Sequence, residues 1–263
     1  MKLISSKNLL ASLTFFFFLG GATNSVTAAS FFDDFENGLN PETSAVRSFV
    51  DREENPDEIF EPAIQDNNGN QVLLLSDENA PADDGPVTIS FLNFVETFEN
   101  VLVSALFNAT GDTDNQGLLN ARIDFSSASA YTAGIDFGTN RVSLTKVVDA
   151  EIVDSFTVEE FDVLDSLNSA YFVELEVVGN EVTARFFNET RTELITELSA
   201  TDANPLGSGF IGLGVGNSDA DPDLLNNLSA TFDNFGAQHV PEPSTLLALL
   251  GFGTLAGKTL RRK

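Results

Sequence analysis

The 263-residue chain has no cysteine and no tryptophan, one methionine, one histidine and two tyrosines. Each scarcity excludes a class of chemistry. Without Cys there is neither a disulfide framework nor a thiolate centre, so a folded domain has to be held by apolar burial. The one histidine, His239, stands too close to the C-terminal segment to anchor a hydrolytic triad or a histidine metal cluster inside a domain. Tyr131 and Tyr171 are the only tyrosines, so the usual sugar-stacking side chains are few. Cations are scarce too, with 13 Lys and Arg against 40 Asp and Glu. Such a field repels nucleic acid and anionic lipid, and neither is expected as a partner.

What is present begins with an address at each end. Lys2 and Lys7 precede the apolar block LLASLTFFFFLGG, which gives way to the small-residue stretch SVTAAS. Charged start, short apolar run and an A-x-A-like site predict a secretory signal peptide over residues 1–29, cut after Ala28 or Ala29. At the other end, Pro241-Glu242-Pro243 cannot continue a strand, because proline fixes φ and lacks an N–H. Twelve apolar or small residues follow, Leu246 to Gly257, and then Lys258 and the basic cluster Arg261-Arg262-Lys263. Basic residues behind an apolar run read as a stop-transfer segment with its charged end inside. The run reaches 15 residues if Lys258 snorkels and Leu260 is counted, against roughly 20 for a full span. A transient rather than a permanent anchor is expected.

This tail, residues 240–263, resembles the PEP-CTERM sorting signal of exported bacterial proteins in all three parts: Pro-Glu-Pro, apolar helix and basic terminus. The resemblance implies recognition by an exosortase, removal of the tail, transient inner-membrane anchoring, and delivery to the cell surface or extracellular polysaccharide.

Between the ends, residues 30–239 carry seven Lys and Arg against 39 Asp and Glu, a formal charge of −32, and Lys146 is the only lysine. Their 210 residues suit one large all-β domain. Alternation of apolar and polar residues recurs in a dozen segments separated by Gly, Asn and Asp clusters, among them Gln71–Ser76, Asn100–Ala109, Arg141–Val148, Glu151–Val158, Phe210–Asn217 and Ser229–Ala237. The pattern predicts an antiparallel sandwich. Asp51–Pro62 and Glu159–Ala170 lack it and are read as loops, the second with room for one helical turn.

One hairpin is legible residue by residue. In YFVELEVVGNEVTARFFN, Gly179-Asn180 is the signature of a two-residue type II′ turn. That register sets Val177 against Val182, Leu175 against Ala184 and Val173 against Phe186 on an apolar face. Glu176 against Thr183 and Glu174 against Arg185 then fall on an exposed outer face. With this hairpin, an opening Asp-Asp-Phe and a closing Phe-Asp-Asn-Phe, the domain resembles concanavalin A-like and laminin G-like jelly rolls.

That fold houses glycosidases, and the laminarinase-like class carries Glu-x-Asp-x-x-Glu on one strand. The nearest stretch here is Glu174-Leu-Glu176-Val-Val-Gly179, with Glu in the middle and Gly where the last acid belongs. Cross-strand pairing of Glu174 with Arg185 is the expectation, and no catalytic residue is assigned. For metal, Asp112 and Asp114 in GDTDNQG have calcium-loop spacing, but Ile123 stands where the bidentate Glu would be required. Asp219, Asp221 and Asp223 form a similar acidic stretch. No cofactor is assigned beyond this candidate structural calcium. The expected protein is an exported, non-catalytic surface or matrix jelly roll with extracellular polysaccharide as the candidate ligand. A divergent polysaccharide hydrolase and a purely structural surface protein are the alternatives.

Overall fold

A computed structural model describes residues 30–39, 44–48, 62–67, 69–77, 89–109, 115–137, 139–149, 151–153, 155–164, 170–217 and 228–241. Within them the chain forms sixteen strands and no helix. One sheet, here sheet A, runs β14 (Leu194–Thr201), β13 (Glu181–Asn188), β12 (Ala170–Val178), β6 (Val101–Ala109), β16 (Leu228–His239), β4 (Asn70–Asp77) and β3 (Ala63–Asn67), with β1 (Ser30–Asp33) also on β16. Sheet B runs β10 (Glu151–Ile152), β9 (Arg141–Val148), β8 (Ser129–Asp136), β7 (Asn115–Asp124), β15 (Gly209–Asn217), β5 (Ile89–Phe98) and β2 (Ser44–Ser48), with β11 (Val158–Glu160) also on β9. Every pairing is antiparallel.

The inward faces make one continuous core. Val101, Val103, Ala105 and Phe107 on β6 meet Leu119 and Ala121 on β7, Tyr131, Ala133 and Ile135 on β8, and Ile211, Leu213 and Val215 on β15. Period-2 alternation puts these on one face of each strand, and their removal from water is the main term stabilising the two layers. Across the layers from Phe107, β7 carries Gly117: a Cβ there would sit 2.8 Å from the Phe107 ring.

The β12–β13 hairpin has the register read from its sequence. Glu174 opposes Arg185, Leu175 opposes Ala184, Glu176 opposes Thr183 and Val177 opposes Val182. Gly179 takes φ 60° at the first turn position, as a type II′ turn requires, a backbone region closed to most side chains. Leu175 is fully buried, but Glu174 is not exposed as expected: only 5% of it is accessible.

Two bulges redirect side chains. In β7, Arg122 takes φ 51° and the register slips between Ala121 and Asp124. Arg122 turns inward and Ile123 outward, against Ala130, Phe125 and Phe210. In β16 the slip falls at Asn234, φ 52°, so that Phe232 and Phe235 both reach the core across Phe-Asp-Asn-Phe. Glu151–Val158, read as one strand, is two short ones. The Phe156 N–H donates to the Val153 carbonyl at 2.9 Å, closing a turn that folds β11 back onto β9. Within Glu159–Ala170, Glu159 and Glu160 belong to β11 and Ala170 opens β12, while 161–164 are irregular. Residues 51–61, like residues 1–29 for which a signal peptide is expected, lie outside the described residues.

Candidate functional site

Two outward faces carry polar chemistry. On sheet A, Glu174 and Glu176 project from β12 beside Arg185 of β13 and Glu197 of β14. The Arg185 Nε donates to Glu197 Oε2 at 2.7 Å and its Nη1 to Glu176 Oε2 at 2.8 Å, with Glu174 Oε2 at 3.9 Å. Arg191, in the β13–β14 turn, donates to Glu174 Oε1 and lies 4.8 Å over the Phe172 ring. Burial pulls the Arg185 guanidinium down from its ordinary pKa, and its hydrogen bonds to Glu197 and Glu176 more than reverse it. The carboxylates of the failed hydrolase pattern are thus engaged by two guanidinium groups. The cross-strand partner expected for Glu174 is present, within a larger cluster than one pair.

On sheet B the outward residues line up in rows across neighbouring strands. Thr145, Thr132, Asn120 and Gly212 form one row over β9, β8, β7 and β15; Ser143, Gly134, Leu118 and Gly214 form the next; Arg141, Asp136 and Gln116 the third. All eight residues of β8 are buried, including Thr132 and Asp136 on its outward face. The floor is built of small groups. A Cβ on Gly134 would fall 2.7 Å from Ser143 Oγ. The Thr132 hydroxyl donates to Asn120 Oδ1 at 2.7 Å, and Asn120 Nδ2 is buried with no hydrogen-bond partner. A buried amide donor without a partner costs about 1–3 kcal/mol, so such groups mark positions worth explaining by function.

The two ends of this floor differ. At one, Asp136 accepts from Arg141 Nη2 at 3.3 Å and from the Thr139 N–H at 3.0 Å, while Arg141 also approaches Glu159 at 3.5 Å and the exposed Phe161 ring at 5.7 Å. At the other, the Phe125 and Phe210 rings lie 6.0 Å apart on the outward face. Tyr131 and Tyr171 are both buried, so neither tyrosine is offered to a sugar.

Sequence reasoning singled out β12, not this face. The signal on β7, β8 and β15 was small polar residues alternating with apolar ones, a pattern that ordinary solvated strands share. Among the described residues no group of three or more His, Cys, Asp or Glu could hold a metal. Asp112, Asp114, Asp219, Asp221 and Asp223 lie outside the described residues, as do Glu242, Pro243, Arg261, Arg262 and Lys263. Pro241 is the last residue described, immediately after the Val240 N–H donates to the Asn100 carbonyl at 3.1 Å.

Two layers of antiparallel strands around one core, with polar outward faces, define a jelly-roll β-sandwich. Solved structures similar to it include a β-1,3-1,4-glucanase (lichenase) derived from a mouse hindgut metagenome, at TM-score 0.54 and 14% identity over 80% of this chain and 98% of that one. The Bacillus licheniformis β-glucanase gives 0.53 and 13% over 82% and 100%, and a glycoside hydrolase family 16 endo-glucanase from Bacteroides ovatus 0.53 and 9% over 80% and 99%. At these identities the likeness is one of fold. No curated protein matches the chain in sequence. Residues 239–263 match the PEP-CTERM protein-sorting motif, so the chain is a jelly roll followed directly by that signal.

Proposed function

We propose that this is an exported protein, sorted to the cell surface by exosortase processing of its tail, whose jelly roll binds polysaccharide without hydrolysing it. The match of residues 239–263 to the PEP-CTERM motif supports the sorting half. Intact-mass measurement of the extracellular protein from its native host should find the signal peptide and the residues beyond about Pro243 missing. Mature protein retaining Lys263 would refute the processing.

The observation that carries the binding half is the outward face of sheet B, where the unpartnered Asn120 Nδ2 donor stands among Thr132, Ser143, Gly134 and Gly212. Neutral donors and acceptors over a floor of small residues suit the hydroxyls of a sugar chain, and Phe125 and Phe210 stand at one end of that floor. The similar glucanases are polysaccharide enzymes by name, which makes a glycan the natural ligand class to test. The absence of activity is proposed because hydrolysis of a glycosidic bond needs an acid and a second carboxylate facing the substrate. On β12 both glutamates are held by Arg185 and Arg191, and the third position of the pattern is the turn residue Gly179.

A glycan array on the exported domain, with calcium present and absent, tests the reading. Binding to one or more β-glucans or other surface polysaccharides is expected, with Asn120→Ala weakening it roughly 3- to 10-fold, the worth of one hydrogen bond. Release of reducing sugar should stay at background. Robust release abolished by Glu176→Gln would make the protein a hydrolase; no glycan bound under either condition would leave the purely structural role.

A further inference from the structure

The last strand of the domain is not an edge strand. β16 lies inside sheet A, paired with β6 on one side and with β4 and β1 on the other. It runs out at His239, whose ring stacks 4.6 Å from Phe98 and whose Nε2 is 3.6 Å from Glu96. One residue later Val240 is pinned to Asn100. The matched sorting motif starts at residue 239, so no spacer separates fold from signal. Ser30 pairs with Gln238, which brings the chain's entry into the domain to the same end.

Leu246, the first residue of the apolar run, stands six residues beyond Val240. Fully extended they reach about 20 Å. The geometry points to a fixed presentation of the domain: while the tail is in the membrane, the end of the sandwich formed by Asn100, the Gly179–Asn180 turn and Ala203–Leu206 is the surface that faces the lipid and the sorting machinery. This rests on the reading of the tail as a membrane-inserted sorting signal. The opposite end, with the Glu189–Thr192 turn, lies a full strand away, about 26 Å along the eight residues of β13.

The near end is not adhesive. Asn100 Oδ1 accepts from the Gly179 N–H at 2.8 Å, and Asp202 N–H donates to the Asn180 carbonyl at 2.8 Å, so the loops there are tied to one another. Glu99 and Glu181 are exposed and Glu96 half-exposed, whereas Arg122 and Lys146 are buried. Carboxylates facing an anionic leaflet repel it, so the short tether alone holds the domain down. Neither sheet face is the membrane-facing side, so the bilayer does not cover the sheet B floor during sorting. Once the tail is cut, no exposed cation among the described residues at this end would keep the domain at the bilayer.

The absence of cysteine gives a clean background for the test. Asn180→Cys and Thr190→Cys, both at exposed positions at opposite ends, are each introduced into the full exported chain, residues 30–263, and labelled with a fluorophore. The chains are reconstituted in phosphatidylglycerol–phosphatidylethanolamine vesicles carrying a headgroup quencher. The Asn180 probe should be quenched at least threefold more than the Thr190 probe, and both should be unquenched when Leu249→Lys and Leu250→Lys disable insertion. Equal quenching, or stronger quenching at Thr190, overturns the orientation while leaving the sorting reading intact. A full chain that fails to float with the vesicles removes the inserted tail itself, and the orientation with it.

Discussion

Leu175→Ala should destabilise the domain by about 2–5 kcal/mol in urea denaturation, through lost burial and an unfilled cavity. Leu175 is fully buried in the middle of β12, between Ala184 of β13 and Val103 of β6. Both neighbours are small or fixed by β-branching, so the site has little capacity to collapse around the missing atoms. Arg185→Ala one strand away should cost less, about 1–2 kcal/mol. It exceeds the 0.2–1 kcal/mol of an isolated exposed pair because the guanidinium serves Glu176 and Glu197 at once and lies near Glu174. Partial exposure of Arg185 and Glu197 keeps solvent screening in force. An Arg185→Ala variant less stable than Leu175→Ala would mean that the polar face, not the core, holds this hairpin together.

That hairpin was readable because two signals agree. Gly179-Asn180 defines the turn, and the turn defines which side chains are opposed. β9 and β13 likewise have the bounds their alternation indicates. The strands that alternation does not reveal are β2, β3 and β14, each at the end of a sheet. An edge strand buries little: β14 has one fully buried residue, Leu198, and β3 none. Its pairing is supplied by the neighbour's unpaired backbone more than by its own pattern, which is why sequence alone misses it.

The candidate site was less legible than the fold, and for a different reason. Asn120, Thr132 and Ser143 are ordinary outward residues until the register sets β7, β8 and β9 side by side. Of the acids that stood out in sequence, Glu176 is held by Arg185 of the next strand, and Glu174 by Arg191, which reaches back from a turn 17 positions away. The bulges are hidden as well. Nothing about Arg122 announces a positive φ, and Asn234, a residue type that tolerates one, does not by itself mark a bulge; each reverses the inward–outward phase of the strand that follows it.

Arg122 leads to the second large effect, because the bulge turns it into a buried polar cluster that no local pattern foretells. Its Nε donates to the Glu99 carbonyl at 2.6 Å and its Nη1 to the Leu206 carbonyl at 2.7 Å. Alongside, the Tyr131 hydroxyl donates to Asp202 Oδ2 at 2.6 Å, Lys146 Nζ lies 2.7 Å from the same oxygen, and the Asn204 N–H donates to Oδ1 at 2.9 Å. Asp202 is the one acid joining Tyr131, Lys146 and the 202–206 loop. Burial raises its pKa, but the hydrogen bonds from Lys146, Tyr131 and Asn204 outweigh that and hold it below the ordinary 3.8. A depressed native value means that the contribution is complete above the unfolded value near pH 4 and is lost as the pH falls through the lower native one. Asp202→Ala should therefore cost about 3–5 kcal/mol at pH 7, since it leaves the Lys146 ammonium buried without its counter-charge. The variant's stability should also fall less steeply than wild type below pH 4. Adding Lys146→Met should recover a large part of the loss by removing the stranded charge. A single variant within about 1 kcal/mol of wild type, or a double variant no more stable than the single, would show that solvent already reaches the pair and that the cluster does not hold this end of the sandwich closed.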